Sequence, residues 1–287
     1  MGKFLDALKK SETVNGQSSP EPAPTKVVDM SGKTVDALKP DATPTLAPVE
    51  ESSFAQGALD PRLASFLEPG SPAVESFKML RAKILTRNSE SPPRTLMVTS
   101  PQPMDGKTMV ATNLAISIAQ GINEYVLLVD CDLRRPSLNK ILGLNCHEGI
   151  NEYLEKGTSV GPYLVKTPLS KLTLLPAGKP SPNPFELLSS EKTRRLVEEL
   201  RSRYDNRYII FDATPAQFAA ETTFLASIVD GILLVVRSGK TTRDSVIEAI
   251  GNLDRNKIVG VVFNASSRKA KDYRYYHQRT ALSAHSS

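Results

Sequence analysis

Cysteine is scarce in this chain of 287 residues: Cys131 and Cys146 are the only two, and their spacing suits neither a disulfide framework nor a metal cage. A reducing cytoplasm fits that usage. No apolar run approaches the length of a transmembrane helix, and no signal peptide opens the chain. Membrane association is therefore expected only peripherally, through a partner. Charge of one sign is also in short supply. The formal net charge is +5, much of it from the last twenty residues, so no nucleic-acid partner is expected. What remains is an ordinary apolar content of 40%, on a length that suits one full-size α/β domain with tails.

The most informative stretch runs from Thr99 to Thr108. It follows Thr95-Leu96-Met97-Val98, which reads as a buried strand, and opens onto a helical pattern from Met109 to Ala119. A strand-to-helix turn ending Gly106-Lys107-Thr108 is a phosphate cradle. The backbone N–H groups and helix N-terminus face an anion, the lysine reaches the β- and γ-phosphates, and the threonine hydroxyl can ligate Mg²⁺. The general pattern places glycine five residues before Gly106, where this chain has Pro101.

Taken in order, residues 1–12 read as a short amphipathic helix with Phe4, Leu5 and Leu8 on one face. Residues 13–61 are rich in Pro, Ser, Thr and Ala and read as a disordered linker. The folded domain is expected over residues 62–265. Its first helix, Pro72 to Leu85, is entered through Ser71, with Val74, Phe77, Leu80 and Ile84 as the buried stripe. Glu75, Lys78 and Arg81 recur on another face, either as a solvated charged face or as ion-pair partners of a neighbouring subunit.

Apolar runs at Tyr125–Asp130, Leu172–Leu175, Tyr208–Asp212, Gly231–Val236 and Ile258–Asn264 read as strands. Helical patterns near 191–203, 219–227 and 242–253 alternate with them, which means a parallel sheet covered by helices on both faces. Ligands in such folds sit at the carboxyl ends of strands, where Asp130, Asp212 and Asn264 fall. Asp132 follows Asp130 by two residues, so both carboxylates can aim at one point beside the cradle, suiting a Mg²⁺ ion and a proton acceptor. Asp212 matches the strand-end aspartate that holds such an ion. Residues 266–287 read as a flexible tail, and Tyr273, Tyr275 and Tyr276 cluster there with no core to serve, as a modifiable or docking patch.

These residues together resemble the bacterial tyrosine autokinases, whose fold is a deviant-Walker P-loop domain akin to the Min- and partition-type ATPases. Ser100 to Thr108 is in register with the family's Walker A, and Val126 to Pro136 matches its Walker A′, an apolar strand then Asp-x-Asp-Leu-Arg-Arg-Pro. Pro176-Ala177-Gly178 and Pro182 to Ser190 match two further family motifs. The amphipathic start, linker and tyrosine tail look most like the stand-alone kinases of exopolysaccharide export loci, including exosortase-linked ones. The resemblance implies a cytoplasmic ATP-dependent autokinase. Ser100, Asp105, Gly106, Lys107, Thr108, Met109 and Asn264 would bind the nucleotide, Asn264 near the adenine. Thr108, Asp130, Asp132 and Asp212 would surround Mg²⁺, and Lys107, Asp130 and Asp132 would carry catalysis, with Asp130 as the base. Tyr273, Tyr275 and Tyr276 would be phosphorylated in trans within a ring built through Glu75, Lys78 and Arg81. A membrane-embedded polysaccharide co-polymerase would activate the kinase, and a phosphotyrosine phosphatase would oppose it.

Three departures from the family pattern stand out. Met104 replaces a loop glycine, which would narrow the cradle if that position needs positive φ. Lys78 replaces an arginine and its bidentate fork. Asp212-Ala213-Thr214-Pro215 lacks the usual Pro-Pro pair. The expectation that follows is slow or partner-dependent catalysis. The rival reading is a partition- or Min-type ATPase switch without tyrosine phosphorylation.

Overall fold

The structure, a computed structural model, describes residues 59–87, 92–156, 159–202 and 206–266, together with strand residues 27–28 and 34–35. The amphipathic segment expected over 1–12, most of the linker, and the tail with Tyr273, Tyr275 and Tyr276 lie outside the described residues. Within the stretch read as linker, β1 (Val27–Val28) pairs antiparallel with β2 (Thr34–Val35).

From Leu59 onward the chain alternates helix and strand. After α1 (Ala64–Leu67) comes α2 (Pro72–Leu85), with the bounds its sequence dictates. Ser71 accepts from the Val74 N–H at 3.3 Å, and Pro72 at the first helical position gives up no needed donor. Val74 and Ile84 are buried, while Phe77 and Leu80 are half-buried against the same core. Then follow β3 (Thr95–Thr99), α3 (Lys107–Ala119), β4 (Tyr125–Asp130), α4 (Leu138–Ile141) and α5 (Ile150–Lys156). The remainder is β5 (Val165–Lys166), β6 (Leu172–Leu175), α6 (Pro184–Leu188), α7 (Glu191–Ser202), β7 (Arg207–Asp212), α8 (Ala220–Ile228), β8 (Gly231–Arg237), α9 (Arg243–Gly251) and β9 (Ile258–Asn264).

The last seven strands form one sheet in the order β5-β6-β4-β7-β3-β8-β9. All neighbours run parallel except the short edge strand β5, which the sequence reading did not anticipate. Successive side chains along a strand serve opposite faces. Leu96 and Val98 join Leu128, Ile210 and Val235 in the core under α2 and α3, while Met97 joins Val129, Phe211 and Leu234 under α5, α7, α8 and α9. Each fully buried Leu, Ile or Val contributes roughly 1.5–3 kcal/mol relative to exposure.

Helix α3 lies between sheet and α2, and every residue from Val110 to Ala119 is buried. Its polar members need partners there. Asn113 donates to the carbonyls of Arg62 and Met109 and accepts from the Ser65 N–H, tying α1 to α3. Among the described residues no helix is long and apolar enough to cross a membrane.

For the site, one register relation matters most. In the parallel ladder of β4 and β7, Asp130 stands opposite Asp212, and Val98 of β3 flanks Asp212 on the other side. The two carboxylates and the loop leaving β3 therefore meet at one end of three adjacent strands.

Candidate active site

The loop from Ser100 to Gly106 is held from inside and from both neighbouring strand ends. The Ser100 hydroxyl donates to the Gln102 carbonyl at 2.7 Å. The carboxylate of Asp105, itself buried, accepts from the Gln102 N–H at 3.0 Å and from the Thr241 hydroxyl at 2.7 Å. Asp105 thus shapes the loop through its side chain and faces the cradle only with its backbone. Arg237 at the end of β8 donates to the Met104 carbonyl, and Gln102 donates to the Ser245 hydroxyl at the start of α9. Asn264 at the end of β9 donates to the Asp105 carbonyl at 2.9 Å. The resemblance placed Asn264 beside a nucleotide base; its side chain here braces the cradle.

Gly106 has φ 94°, a left-handed conformation that favours glycine. A Cβ there would fall 2.0 Å from Asn264 Nδ2. Met104, where the family carries glycine, also has positive φ, 68°. The position does require left-handed backbone, so the substitution carries local strain. The Met104 side chain, however, is 82% exposed and points out of the loop, so it does not narrow the cradle.

Sequence periodicity starts the following helix at Met109, but α3 begins at Lys107. That extra turn brings Lys107 and Thr108 onto the helix N-terminus, where unpaired N–H groups and the helix dipole favour an anion. The Lys107 ammonium lies 3.1 Å from Asp132 Oδ2, 3.6 Å from Asp212 Oδ1 and 3.2 Å from the Thr108 hydroxyl. Burial alone would lower its pKa, but Asp212, Asp132 and Asp130 outweigh burial and hold it raised and charged.

The carboxylates differ in their surroundings. Asp130 is buried and accepts three backbone N–H bonds, from Asp132 at 3.1 Å, Ser137 at 3.1 Å and Leu138 at 3.2 Å. Burial and the facing Asp212 push its carboxyl up to about 7, against the Leu138 and Ser137 N–H groups and Lys107. Asp212 is fully buried, and neither of its oxygens receives a hydrogen bond of normal geometry. Burial raises its pKa as well, opposed by Lys107 and the Thr108 hydroxyl. Asp132 is the most open of the three and accepts from the Arg135 N–H.

Three carboxylates face a single ammonium, and both buried oxygens of Asp212 lack a hydrogen bond of normal geometry. That donor set fits a hard divalent cation. Among the described residues no three His, Cys, Asp or Glu side chains converge into a cage of their own. Mg²⁺ keeps waters and substrate phosphates in its coordination sphere and is usually held through one or two protein carboxylates. With Asp130 already committed to backbone N–H groups, Thr108, Asp212 and Asp132 are the residues placed to hold the ion.

The Arg134-Arg135-Pro136 segment after Asp132 is anchored at a distance. Arg134 Nε lies 3.0 Å from Glu221 Oε1 on α8, and Glu221 is buried. Glu152 accepts from the N–H groups of Gly149 and Lys179, stapling the Pro176-Ala177-Gly178 segment to the start of α5. Sequence reasoning missed Arg237, Thr241 and Glu221, because nothing in their local pattern marks which loop they touch. The residues proposed for subunit contact are paired within the chain. Lys78 bonds Glu75 at 2.7 Å one turn back, and Arg81 donates to the Ser117 carbonyl of α3.

No family model matches the chain. It is 32% identical over 212 residues to the tyrosine-protein kinase YwqD of Bacillus subtilis, across 73% of this chain and 88% of that protein. It is 30% identical over 221 residues to the tyrosine-protein kinase Wzc of Salmonella typhimurium, of which the match spans only 30%. Among solved structures, the kinase domain of the Escherichia coli tyrosine kinase ETK superposes with a TM-score of 0.67 at 28% identity, covering 74% of this chain and 83% of that one.

Proposed function

The chain belongs to the bacterial tyrosine-protein kinases, and from that premise we propose that it transfers the γ-phosphoryl group of Mg·ATP to tyrosines of its own tail, in trans. The observation that carries this reading is the Lys107 ammonium held between Asp132 and Asp212 at the N-terminus of α3, beside a carboxyl pushed up to about 7. Lys107 and the N–H groups of the loop bind the phosphates. Thr108, Asp212 and Asp132 hold the Mg²⁺ ion, which when bound neutralises charge on the phosphoryl oxygens. Asp130 takes the proton of the incoming tyrosine hydroxyl, a role for which a pKa near the working pH is suited. Positioning and charge neutralisation do the rest.

The acceptors are Tyr273, Tyr275 and Tyr276, presented by a neighbouring copy in a ring that uses Glu75, Lys78 and Arg81 of α2. An activating co-polymerase in the membrane and a phosphotyrosine phosphatase complete the cycle, which regulates exopolysaccharide export. In Wzc the matching region is under a third of a longer chain. The rival partition-type switch is disfavoured because the relatives at 30% identity or above are named tyrosine-protein kinases.

The test is incubation of the purified chain with Mg·ATP, with and without candidate activators, followed by mass spectrometry of the tail. Phosphate is expected on Tyr273, Tyr275 and Tyr276 and is expected to disappear in Lys107→Met. Mixing Lys107→Met with the triple Tyr→Phe variant should label the first protein only. Undiminished phosphotyrosine on Lys107→Met alone would overturn the assignment.

A further inference from the structure

A cavity of about 1050 Å³ opens at the end of the sheet opposite the phosphate loop, and the mechanism makes no use of it. Its walls come from the starts of strands: Arg94 precedes β3, Asp230 precedes β8 and Lys257 precedes β9. The phosphate loop lies beyond the other end of β3, so a strand's length, roughly 20 Å, separates the two.

Among the described residues, five cations line this cavity, Arg87, Arg94, Arg194, Arg201 and Lys257, with two carboxylates, Glu198 and Asp230. Asp230 is already committed. It accepts from the N–H groups of Arg94 and Thr95 and pairs with Arg201 at 3.3 Å. Arg87 donates to the carbonyls of Val259 and Ile258, and Lys257 to those of Ala226 and Ser227. Carbonyls orient these groups without cancelling their charge. Arg194 lies over the Phe224 ring at 5.4 Å, and its carboxylate neighbour, Glu191, stands 3.7 Å away and exposed. Among the described residues the lining thus holds more cations than carboxylates, with Arg87 and Lys257 oriented by carbonyls. Pro92, Pro93, Val197, Ile228 and Val229 supply apolar side chains between the cations, alongside the polar Ser227 and Asn256.

Apolar walls beside fixed guanidinium groups suit a ligand with an aromatic body and a dianionic head. Phosphotyrosine has both. We propose that this cavity binds the phosphorylated tyrosine tail of this chain, so that the product of the reaction is read at the far end of the same domain. The proposal rests on the tail being the phosphate acceptor. Reach allows it. Tyr273 lies seven residues beyond Ser266, and seven extended residues span roughly 23–25 Å, the length of β9 traversed back to its start. Tyr275 and Tyr276 lie further along still. The unmodified tail, itself basic with Lys269, Lys271, Arg274 and Arg279, is repelled by the same cations, so binding switches on with modification.

A synthetic peptide of residues 268–279, phosphorylated at the three tyrosines, and its unmodified counterpart test this by fluorescence anisotropy. The full chain is held in saturating Mg·ADP. At least tenfold tighter binding of the phosphopeptide is expected, weakening as salt rises. Arg87→Gln and Arg194→Gln are each expected to lose part of that affinity and the double variant at least tenfold. The single variants serve if the double variant does not fold. Equal binding of the two peptides, or full affinity in the variants, would overturn the proposal. The peptides are made chemically, so a failed kinase reading leaves this result legible, and the autophosphorylation assay reports on that reading separately.

Discussion

Asn264 Nδ2 donates to the carbonyl of Asp105 at 2.9 Å and occupies the space where a side chain on Gly106 would begin. The last strand therefore closes the phosphate loop from behind, and the loop's shape depends on a residue some 160 positions away. Asn264→Ala removes one hydrogen bond, worth about 1 kcal/mol. Nucleotide affinity should fall about five- to tenfold in a fluorescent-ADP titration, with the melting temperature little changed. Gly106→Ala adds both a 2.0 Å clash and a methyl group at φ 94°, and should abolish binding. Unchanged ADP affinity in Gly106→Ala would show that the loop is not the cradle.

Asp130 predicts a pH signature. Its carboxyl is pushed up to about 7 on folding, so the native state holds that proton more tightly than the unfolded chain does. The resulting stability is fully present below about pH 4 and is lost as pH rises through about 7, a change on the order of 4 kcal/mol. Because Asp130 and Asp212 interact, the titration belongs to the pair. Asp130→Asn should flatten this part of the stability profile in denaturant titrations at a series of pH values. The same variant should lower autophosphorylation roughly 10²-fold or more. Wild-type rate should climb through neutrality, and a rate flat from pH 5.5 to 8.5 would remove Asp130 as the base.

Met104 holds a left-handed backbone with its side chain in solvent, so its strain is separable from packing. Met104→Gly removes that strain, about 1 kcal/mol, and returns part of it as entropy of the unfolded chain. A small rise in melting temperature, no more than a few degrees, is expected. Met104→Val places a β-branched residue at the same φ and should cost about 1–2 kcal/mol. If Val were tolerated as well as Gly, the loop would not be held at positive φ in solution.

Arg134 and Glu221 form a clasp between the segment after Asp132 and helix α8. Arg134→Ala leaves the buried Glu221 carboxylate without its guanidinium and should cost about 1–3 kcal/mol, less than for a fully buried pair because Arg134 is 55% exposed. Glu221→Gln alone should cost less. The double variant should recover part of the loss in chemical denaturation, and strict additivity would mean the pair is not coupled.

Much of the architecture was legible in the pattern of residues. Apolar runs such as Tyr125–Asp130 and Gly231–Val236 are too continuous for a half-exposed strand, and helices alternate with them, which leaves little besides a covered parallel sheet. Ser71-Pro72 marked the start of α2 because capping is local chemistry. The start of α3 was harder to place. Lys107 and Thr108 break the apolar period, and only the phosphate-loop geometry makes them helical. The edge strand β5 and the short helices α4, α5 and α6 were invisible, since two to seven residues carry too little periodicity. The meeting of Lys107 with Asp132 and Asp212 followed from strand-end positions, whereas the bracing by Arg237, Thr241 and Asn264 depends on tertiary contacts that no local spacing encodes. Charge pattern alone left Glu75, Lys78 and Arg81 as a solvated face or a subunit contact; within the chain the first two pair with each other and Arg81 donates to the Ser117 carbonyl.

Two like charges stand abreast in the middle of the sheet, Asp130 beside Asp212, fixed there by the same ladder that fixes the strands. Such an arrangement weakens the fold at its centre. A neutral side chain at Asp212 would relieve that repulsion but also take a counter-charge from Lys107, 3.6 Å away. The ladder that sets the strands side by side thus also sets the distance between the two carboxylates.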